Sequence, residues 1–127
     1  MIALLVGALI AFGLSAMAAD SSSSAKKGEL RHVVAFKFKE SASKEDIKKV
    51  EDAFADLKNK ITTIRKYEHG INNSPENHNK GCTHAFILTF TSEKDRDDYL
   101  VHPAHKEFGK LVGPLLDDVF VIDFWVK

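Results

Sequence analysis

The sequence has little cysteine and no net charge. Cys82 is its only cysteine, and 18 basic residues balance 18 acidic ones over 127 residues. A single cysteine excludes an internal disulfide, so the hydrophobic core must stabilise the fold unaided. We interpret Cys82, at the start of a predicted strand, as a small buried apolar residue in preference to a nucleophile. No basic stripe alternates with aromatic residues, which argues against a nucleic-acid partner.

Familiar catalytic motifs are also missing. The sequence contains no phosphate-binding glycine loop, no nucleophile elbow and no pair of carboxylates in a recognisable frame. It has no His-x-x-x-His pair, and His102 and His105 lie on either side of a predicted helix start. A metal site built from His32, His84, His105 and Asp123 is therefore the weaker alternative. We expect no metal and no cofactor.

Charged residues are absent from the segment between Ile2 and Ala19. Ala16-Met17-Ala18 within it is typical of a signal-peptidase site. We predict a signal peptide over residues 1–19, a flexible serine-rich leader over 20–28 and one compact domain over 29–127. A membrane anchor is the alternative, but glycine and serine make this segment a poor spanning helix. The expected location is periplasmic or secreted, with no membrane contact after cleavage.

Hydrophobic periodicity predicts four strands, at 30–39, 64–70, 83–91 and 119–126. Ser43 is predicted to cap a helix that ends near residue 60, and Ser92 to cap a second over 93–101. A further helix is expected from Pro103 onward. The order strand, helix, strand, strand, helix, strand is that of an α+β ferredoxin-like βαββαβ sandwich.

One face of the predicted sheet has no element of the chain to cover it. Helices cover the opposite face. The uncovered face carries apolar side chains at Val33, Ala35, Ala85, Ile87, Phe120, Ile122 and Phe124. Exposed on a monomer, such a face is a liability, so we expect a second copy of the chain to cover it. The predicted partner is therefore the protein itself, as a homodimer.

Residues 99–109, YLVHPAHKEFG, form the most specific stretch of the sequence. Proline is tolerated only in the first turn of a helix, so one helix is predicted to end just before Pro103 and another to begin there. Tyr99 then lies in the last turn of the first helix and His105 in the first turn of the second. A phenol and an imidazole that meet beside apolar surface can act as a general acid/base pair. The competing interpretation is structural, with Tyr99 a core aromatic and His102 a helix cap.

This stretch and the strand pattern around it resemble the stress-responsive dimeric α/β-barrel (Dabb) domain family over residues 30–124. Within that family the stretch is similar to that of a plant polyketide cyclase. The resemblance implies a barrel built from the sheets of two subunits, and a cavity between sheet and helices. It also implies that His105 removes a proton next to a carbonyl group while Tyr99 donates to the carbonyl oxygen, in an aldol-type ring closure.

Strand alternation and the resemblance together predict the cavity wall. The predicted wall residues are His32, Val34, Phe36, Phe54, Phe86, Phe108, Gly109, Leu116, Val119 and Asp123. Asp123 is expected to accept a hydrogen bond from a cavity histidine and so to fix its tautomer. Phe36, Phe54, Phe86 and Leu116 replace different residues of the plant cyclase. Because such changes reshape a cavity, the polyketide substrate is not carried over.

These observations lead to two main functional hypotheses. The first is a cavity for a small apolar or aromatic molecule, with lyase- or cyclase-like chemistry through His105 and Tyr99. The second is a non-catalytic structural or stress-associated oligomer, in which the same residues only hold the helix junction. A haem-degrading or oxygenase relative is a third alternative, by fold analogy alone. An open cavity between helices and sheet favours the first hypothesis, and a filled space favours the second.

Overall fold

The computed structural model describes residues 28–127. The predicted signal peptide and all but the last residue of the predicted leader therefore lie outside the described residues. The elements are β1 (Leu30–Phe38), α1 (Lys44–Lys60), β2 (Lys66–Ile71), β3 (His84–Phe90), α2 (Glu93–Val101), α3 (Pro103–Val112) and β4 (Leu116–Trp125). A short 3-10 turn, Gly113–Leu115, precedes β4. This is the order that the periodicity predicted, including the break before Pro103.

The four strands form one antiparallel sheet with the order β2-β3-β1-β4. The result is an α+β ferredoxin-like fold, as predicted, with β2 and β4 at the two edges. Two strand starts differ from the prediction by more than one residue. The chain turns at Ile64, whose amide donates to the carbonyl of Ile61, so β2 begins two residues later than predicted. β4 begins earlier than predicted, because Leu116 still pairs with Phe38 beyond a register shift in β1.

The core lies between the sheet and the helices. The predicted cap Ser43 begins α1 as part of a capping box. The Asp46 amide donates to Ser43 Oγ at 3.0 Å, and the Ser43 amide donates to Asp46 Oδ2 at 3.3 Å. The helix buries Val50, Phe54 and Leu57. These side chains pack against alternate residues of β1 and β3, which turn the same face of the sheet toward the helices.

The junction between α2 and α3 is ordered by His102. Its Nδ1 accepts a hydrogen bond from the Ala104 amide at 3.0 Å, so the side chain caps the new helix, as the structural interpretation of His102 proposed. Its own amide donates to the Tyr99 carbonyl at 3.1 Å, which closes the last turn of α2. Pro103 occupies the first turn of α3, where no intrahelical donor is needed. The junction therefore fixes Tyr99 and His105 relative to one another.

The other face of the sheet carries exposed apolar side chains. Phe120, Ile122 and Phe124 of β4 are 54%, 51% and 49% exposed. Val33 and Ala35 on the adjacent strand share this outer face and are partly buried. None of the helices within residues 28–127 is both long enough and apolar enough to cross a membrane.

Candidate functional site

A cavity of about 510 Å³ lies between the sheet and the helices. It is bounded by β1 and β4 on the sheet side, by α2 and α3 on the helix side, and by Phe54 of α1. The predicted wall residues line it, except Phe86. Leu100, Val112 and Val121, which were not among the predicted wall residues, line it as well. Ile122 borders the cavity too, although strand alternation places its side chain on the outer face of the sheet.

Phe86 was predicted to line the cavity and does not. It is fully buried on β3, which lies beyond β1 on the side away from β4. Its ring stacks on Phe54 with centroids 4.5 Å apart and contacts Phe36 at 4.9 Å. Phe86 therefore packs against two wall residues, Phe36 and Phe54, without facing the cavity itself. Alternation correctly placed it on the helix-facing side of the sheet, but alternation does not say how far across the sheet a cavity extends.

The apolar part of the wall is a group of phenylalanines. Phe36, Phe54 and Phe108 contact one another, with centroids 5.9 Å apart for Phe36 and Phe54 and 4.6 Å apart for Phe54 and Phe108. Gly109 follows Phe108 on the cavity wall, where a glycine leaves space that a side chain would occupy. The aromatic rings thus form one side of the cavity without filling it.

Polar groups gather at another part of the wall. His32 and Asp123 are directly opposite on the neighbouring strands β1 and β4. His32 Nδ1 and Asp123 Oδ1 are 2.7 Å apart, so the hydrogen bond expected from strand alternation is present. Because a carboxylate only accepts, Nδ1 carries the hydrogen. In the neutral ring this leaves Nε2 as an acceptor.

Arg96 joins this polar group, although the sequence analysis did not single it out. Its Nη1 donates to Asp123 Oδ2 at 3.0 Å, and its Nε and Nη2 each lie 3.0 Å from Asp97 Oδ1. Both Arg96 and Asp97 line the cavity. The spacing of three residues between Arg96 and Tyr99 on one helix would have indicated a shared face.

Tyr99 and His105 meet across the helix break, as predicted. Their ring centroids are 4.4 Å apart with an interplanar angle of 45°. Tyr99 also meets His32 edge to face, with centroids 5.6 Å apart. Among the described residues, no group forms a hydrogen bond with the Tyr99 hydroxyl. The pair is therefore in ring contact, and the hydroxyl is not committed to the His105 imidazole.

The tautomer of His105 follows from its one hydrogen bond. Nδ1 lies 3.1 Å from the carbonyl oxygen of Leu100. A carbonyl oxygen only accepts, so Nδ1 carries the hydrogen and Nε2 of the neutral ring keeps its lone pair. A neutral imidazole with a free Nε2 on a cavity wall has the form that a general base requires.

Burial sets the protonation of both groups. It lowers the pKa of His105 below the usual 6.5; the Leu100 carbonyl opposes this change, and nearby His32 adds to it. Burial likewise raises the pKa of Tyr99 well above the usual 10, with smaller contributions from Tyr67 and Asp123. Near neutral pH, His105 is therefore an unprotonated base and Tyr99 a protonated donor.

Other candidates from the sequence lie elsewhere. His84 is buried at the far end of the core, with Nε2 2.8 Å from Glu51 and Nδ1 2.8 Å from the Thr83 hydroxyl. Both ring nitrogens of His84 are therefore engaged by neighbouring side chains, far from His105 and Asp123 of the metal-site alternative. Cys82 is only half-buried and precedes β3, so its prediction as a buried strand residue is wrong. In residues 28–127, no three His, Cys, Asp or Glu side chains are grouped as metal ligands.

The protein is of the class of ferredoxin-like α+β domains that have an apolar cavity under their helices. An imidazole and a phenol meet in the wall of this cavity. The particular family follows from comparison of the sequence with known families. Residues 30–126 match the Stress responsive A/B Barrel Domain, Dabb. The chain belongs to this family.

Two plant proteins are similar to the chain in sequence. The chain is 38% identical to the stress-response A/B barrel domain-containing protein HS1 of Arabidopsis thaliana, over 77% of this chain and 90% of HS1. It is 25% identical to olivetolic acid cyclase of Cannabis sativa, over 75% of this chain and 94% of the cyclase. The resemblance to a plant cyclase inferred from residues 99–109 is therefore confirmed at the level of sequence similarity.

Solved structures share the fold. The structure of At3g17210 from Arabidopsis thaliana is 36% identical with a TM-score of 0.74, covering 77% of this chain and 95% of that one. A dimeric protein of unknown function from Bacteroides fragilis is 27% identical with a TM-score of 0.65, covering 79% and 98%. Hydroxynitrile lyase from Passiflora edulis has a TM-score of 0.75 at 24% identity, covering 80% and 96%. The likeness to the lyase concerns the fold alone.

Proposed function

We propose that this protein is a homodimeric Dabb protein that binds a small apolar or aromatic carbonyl compound and transfers a proton next to the carbonyl group, in lyase- or cyclase-like chemistry. One observation carries the proposal above the others. His105, with a lowered pKa and a free Nε2, contacts Tyr99 in the wall of an open cavity of about 510 Å³. A cavity of this size suits a small organic ligand.

The chemistry follows from the protonation states. His105 Nε2 accepts the proton from the carbon next to the carbonyl group. Negative charge then develops on the carbonyl oxygen, and the Tyr99 hydroxyl, with no other hydrogen-bond partner among the described residues, donates to it. The Asp123-bound His32 contacts Tyr99 edge to face and lines the same cavity. The 25% identity to olivetolic acid cyclase supports this proposal without supplying the substrate.

The test is exchange of carbon-bound protons. Phenylacetone is a neutral aromatic ketone, and in D₂O its protons next to the carbonyl exchange at a rate that NMR follows directly. We expect the wild type to accelerate this exchange, and His105→Gln to lower the catalysed rate by about 100-fold or more. Tyr99→Phe should lower it as well. His78→Gln, in an exposed loop outside the cavity, is the matched control.

The alternative proposal is a non-catalytic structural or stress-associated oligomer. Its support is that Tyr99 is 1% exposed and that its ring packs between His32 and His105, as in a structural cluster. In that case His105→Gln lowers the thermal unfolding midpoint and Tyr99→Phe, which keeps the packed ring, leaves it nearly unchanged. Phenylacetone then neither binds nor exchanges faster than it does without the protein. Exchange that is unchanged in His105→Gln would likewise remove His105 from the chemistry.

The homodimer is supported by the outer face of the sheet. Three large apolar side chains of β4 are about half exposed there, side by side with the apolar residues of β1. An apolar surface of this kind on a soluble domain marks an interaction site. The 27% identical protein from Bacteroides fragilis is described as dimeric, which supports the same arrangement here.

We also propose that the protein is exported. The support is the uncharged segment from Ile2 to Ala19 and its small-residue motif Ala16-Met17-Ala18. Mass spectrometry of the protein recovered from expressing cells tests the proposal. Export with cleavage gives an N-terminus near residue 20 in the extracytoplasmic fraction, whereas an intact Met1 or a cytoplasmic location would contradict it.

A further inference from the structure

The cavity wall contains one permanent cation, and its charge is already neutralised. Arg96 is the only lysine or arginine among the described residues that line the cavity. Its guanidinium is held between Asp123, at 3.0 Å from Nη1, and Asp97, at 3.0 Å from Nη2. Both carboxylates line the same cavity. An arginine that recognises a ligand carboxylate normally offers it a free edge with parallel N–H groups.

The summed charge of the wall is therefore never positive near neutral pH. Arg96 contributes one positive charge, and Asp97 and Asp123 contribute two negative charges. His105 is neutral because its pKa lies below its usual value, and Tyr99 keeps its proton. If His32 is neutral the sum is one negative charge, and if it is protonated the sum is zero. No protonation state of His32 leaves an uncompensated cation for an anionic ligand.

An anion entering this cavity would lose hydration without gaining an unpaired cation as its partner. The rest of the wall is apolar, with Phe36, Phe54 and Phe108 on one side and Val119 and Val121 on another. Moving a carboxylate from water to such surroundings is costly unless it is paired. A neutral ligand of the same shape pays no such penalty. The two ligands have the same volume, so the difference between their binding free energies comes from the charge.

We infer that the cavity selects uncharged ligands, and that the Asp97–Arg96–Asp123 arrangement is the device that excludes carboxylates. The inference rests on the proposed function and specifies its substrate class as neutral ketones, aldehydes or their neutral adducts. Asp123 has a second partner in His32, whereas Asp97 interacts only with Arg96 in this group. Asp97 is therefore the member whose removal changes the charge with the least disturbance of the rest.

Phenylacetone and phenylacetate provide the test, because they differ only in a methyl group against a carboxylate oxygen. Calorimetric titration of the whole protein with each compound at pH 7.5 gives two dissociation constants. The measured quantity is the ratio of the dissociation constant for phenylacetate to that for phenylacetone. We expect phenylacetone to bind at least about tenfold more tightly. In Asp97→Asn one edge of the guanidinium loses its anion, so the ratio should fall by about 2- to 5-fold, chiefly through tighter phenylacetate binding.

Asp98→Asn is the matched control. Asp98 is the next residue on α2, pairs with Lys94 at 2.7 Å and does not line the cavity. This variant makes the same change in net charge and should leave the ratio as in the wild type. A shift in Asp98→Asn equal to that in Asp97→Asn would show a general charge effect and overturn the role of Asp97.

The remaining outcomes separate this inference from the proposed function. Phenylacetate binding as tightly as phenylacetone overturns the inference and leaves the ligand cavity in place. An unchanged ratio in Asp97→Asn overturns the part played by Arg96 and its carboxylates. Absence of binding by either compound up to millimolar concentration contradicts the proposed function itself, and the inference fails with it.

Discussion

At the scale of single residues, the cavity depends on how backbone and carboxylate acceptors orient two histidines. The Leu100 carbonyl fixes the hydrogen of His105 on Nδ1, and Asp123 does the same for His32. Both rings therefore keep Nε2 for other uses when neutral. Tyr99 contacts the two rings and contributes a hydroxyl that no described residue engages. The three side chains come from three different elements, β1, α2 and α3.

The protonation of His105 gives a direct prediction. Burial lowers its folded-state pKa below 6.5, with neighbouring His32 acting in the same direction. The Hε1 resonance of His105 should therefore titrate below pH 6.5 in NMR, assigned among the six histidines by its loss in His105→Gln. Catalysed proton exchange should be constant above pH 6.5 and fall at lower pH, because the base form is consumed.

The same shift makes a contribution to stability whose sign can be stated. Between the lowered pKa and 6.5, the unfolded chain binds a proton at His105 that the folded chain does not. The free energy of unfolding therefore rises with pH through this window. The contribution of His105 is fully present above pH 6.5. A His105 resonance that titrates above 6.5, or exchange that increases as the pH falls below that value, would contradict both the burial argument and the role as a base.

Much of the site could be predicted from residue types and spacing. Strand alternation places His32 and Asp123 on the helix-facing side of the sheet, and the register of β1 and β4 then brings them together. Phe86 was misplaced because alternation gives the face of a strand but not the lateral extent of a cavity. Arg96 was missed because it lies among charged residues of α2. Only its three-dimensional meeting with Asp123 distinguishes it from an ordinary exposed arginine.

At the scale of elements, the junction of α2 and α3 determines the geometry of Tyr99 and His105. Pro103 prevents one continuous helix, because it lacks an amide hydrogen and its ring would clash in a helix interior. His102 then caps the second helix through Nδ1. This arrangement was predictable, since proline and capping residues act locally. The limits of β2 and β4 were less so. A local turn at Ile64 delays the start of β2, and pairing with the distant Phe38 adds Leu116 to β4.

His102→Ala tests the cap. We expect a loss of about 1 kcal/mol in the free energy of unfolding, measured by urea denaturation, because the Ala104 amide loses its acceptor. His102→Asn keeps an acceptor at the capping position and should recover most of the loss. His69→Ala, at an exposed position of the edge strand β2, is a control for removing an imidazole. Equal stability of His102→Ala and the wild type would mean that Pro103 alone sets the junction.

At the scale of the whole molecule, β1 and β4 contribute side chains both to the cavity and to the outer face of the sheet. Successive residues alternate between the cavity, as with Val119 and Val121, and the outer face, as with Phe120 and Ile122. All four are about half exposed, because β4 is an edge strand of the single chain. An edge strand with apolar side chains on both sides gains order when a partner covers one of them. Dimer formation should therefore stabilise the cavity wall as well as the outer face.

Phe120→Glu places a charge on the proposed dimer face and tests this coupling. Burying an unpaired carboxylate is unfavourable, so we expect the dimer to weaken by about 2 kcal/mol or more, roughly 30-fold in dissociation constant, in sedimentation equilibrium. Val101→Glu makes the same change at a 65% exposed position on α2, away from the sheet, and should remain dimeric. Because β4 supplies Val119, Val121 and Asp123 to the cavity, monomeric Phe120→Glu should also bind phenylacetone more weakly than Val101→Glu does. A monomer with unaltered phenylacetone binding would separate the two faces of β4, whereas a Phe120→Glu dimer as tight as the wild type would place the subunit contact elsewhere on the molecule.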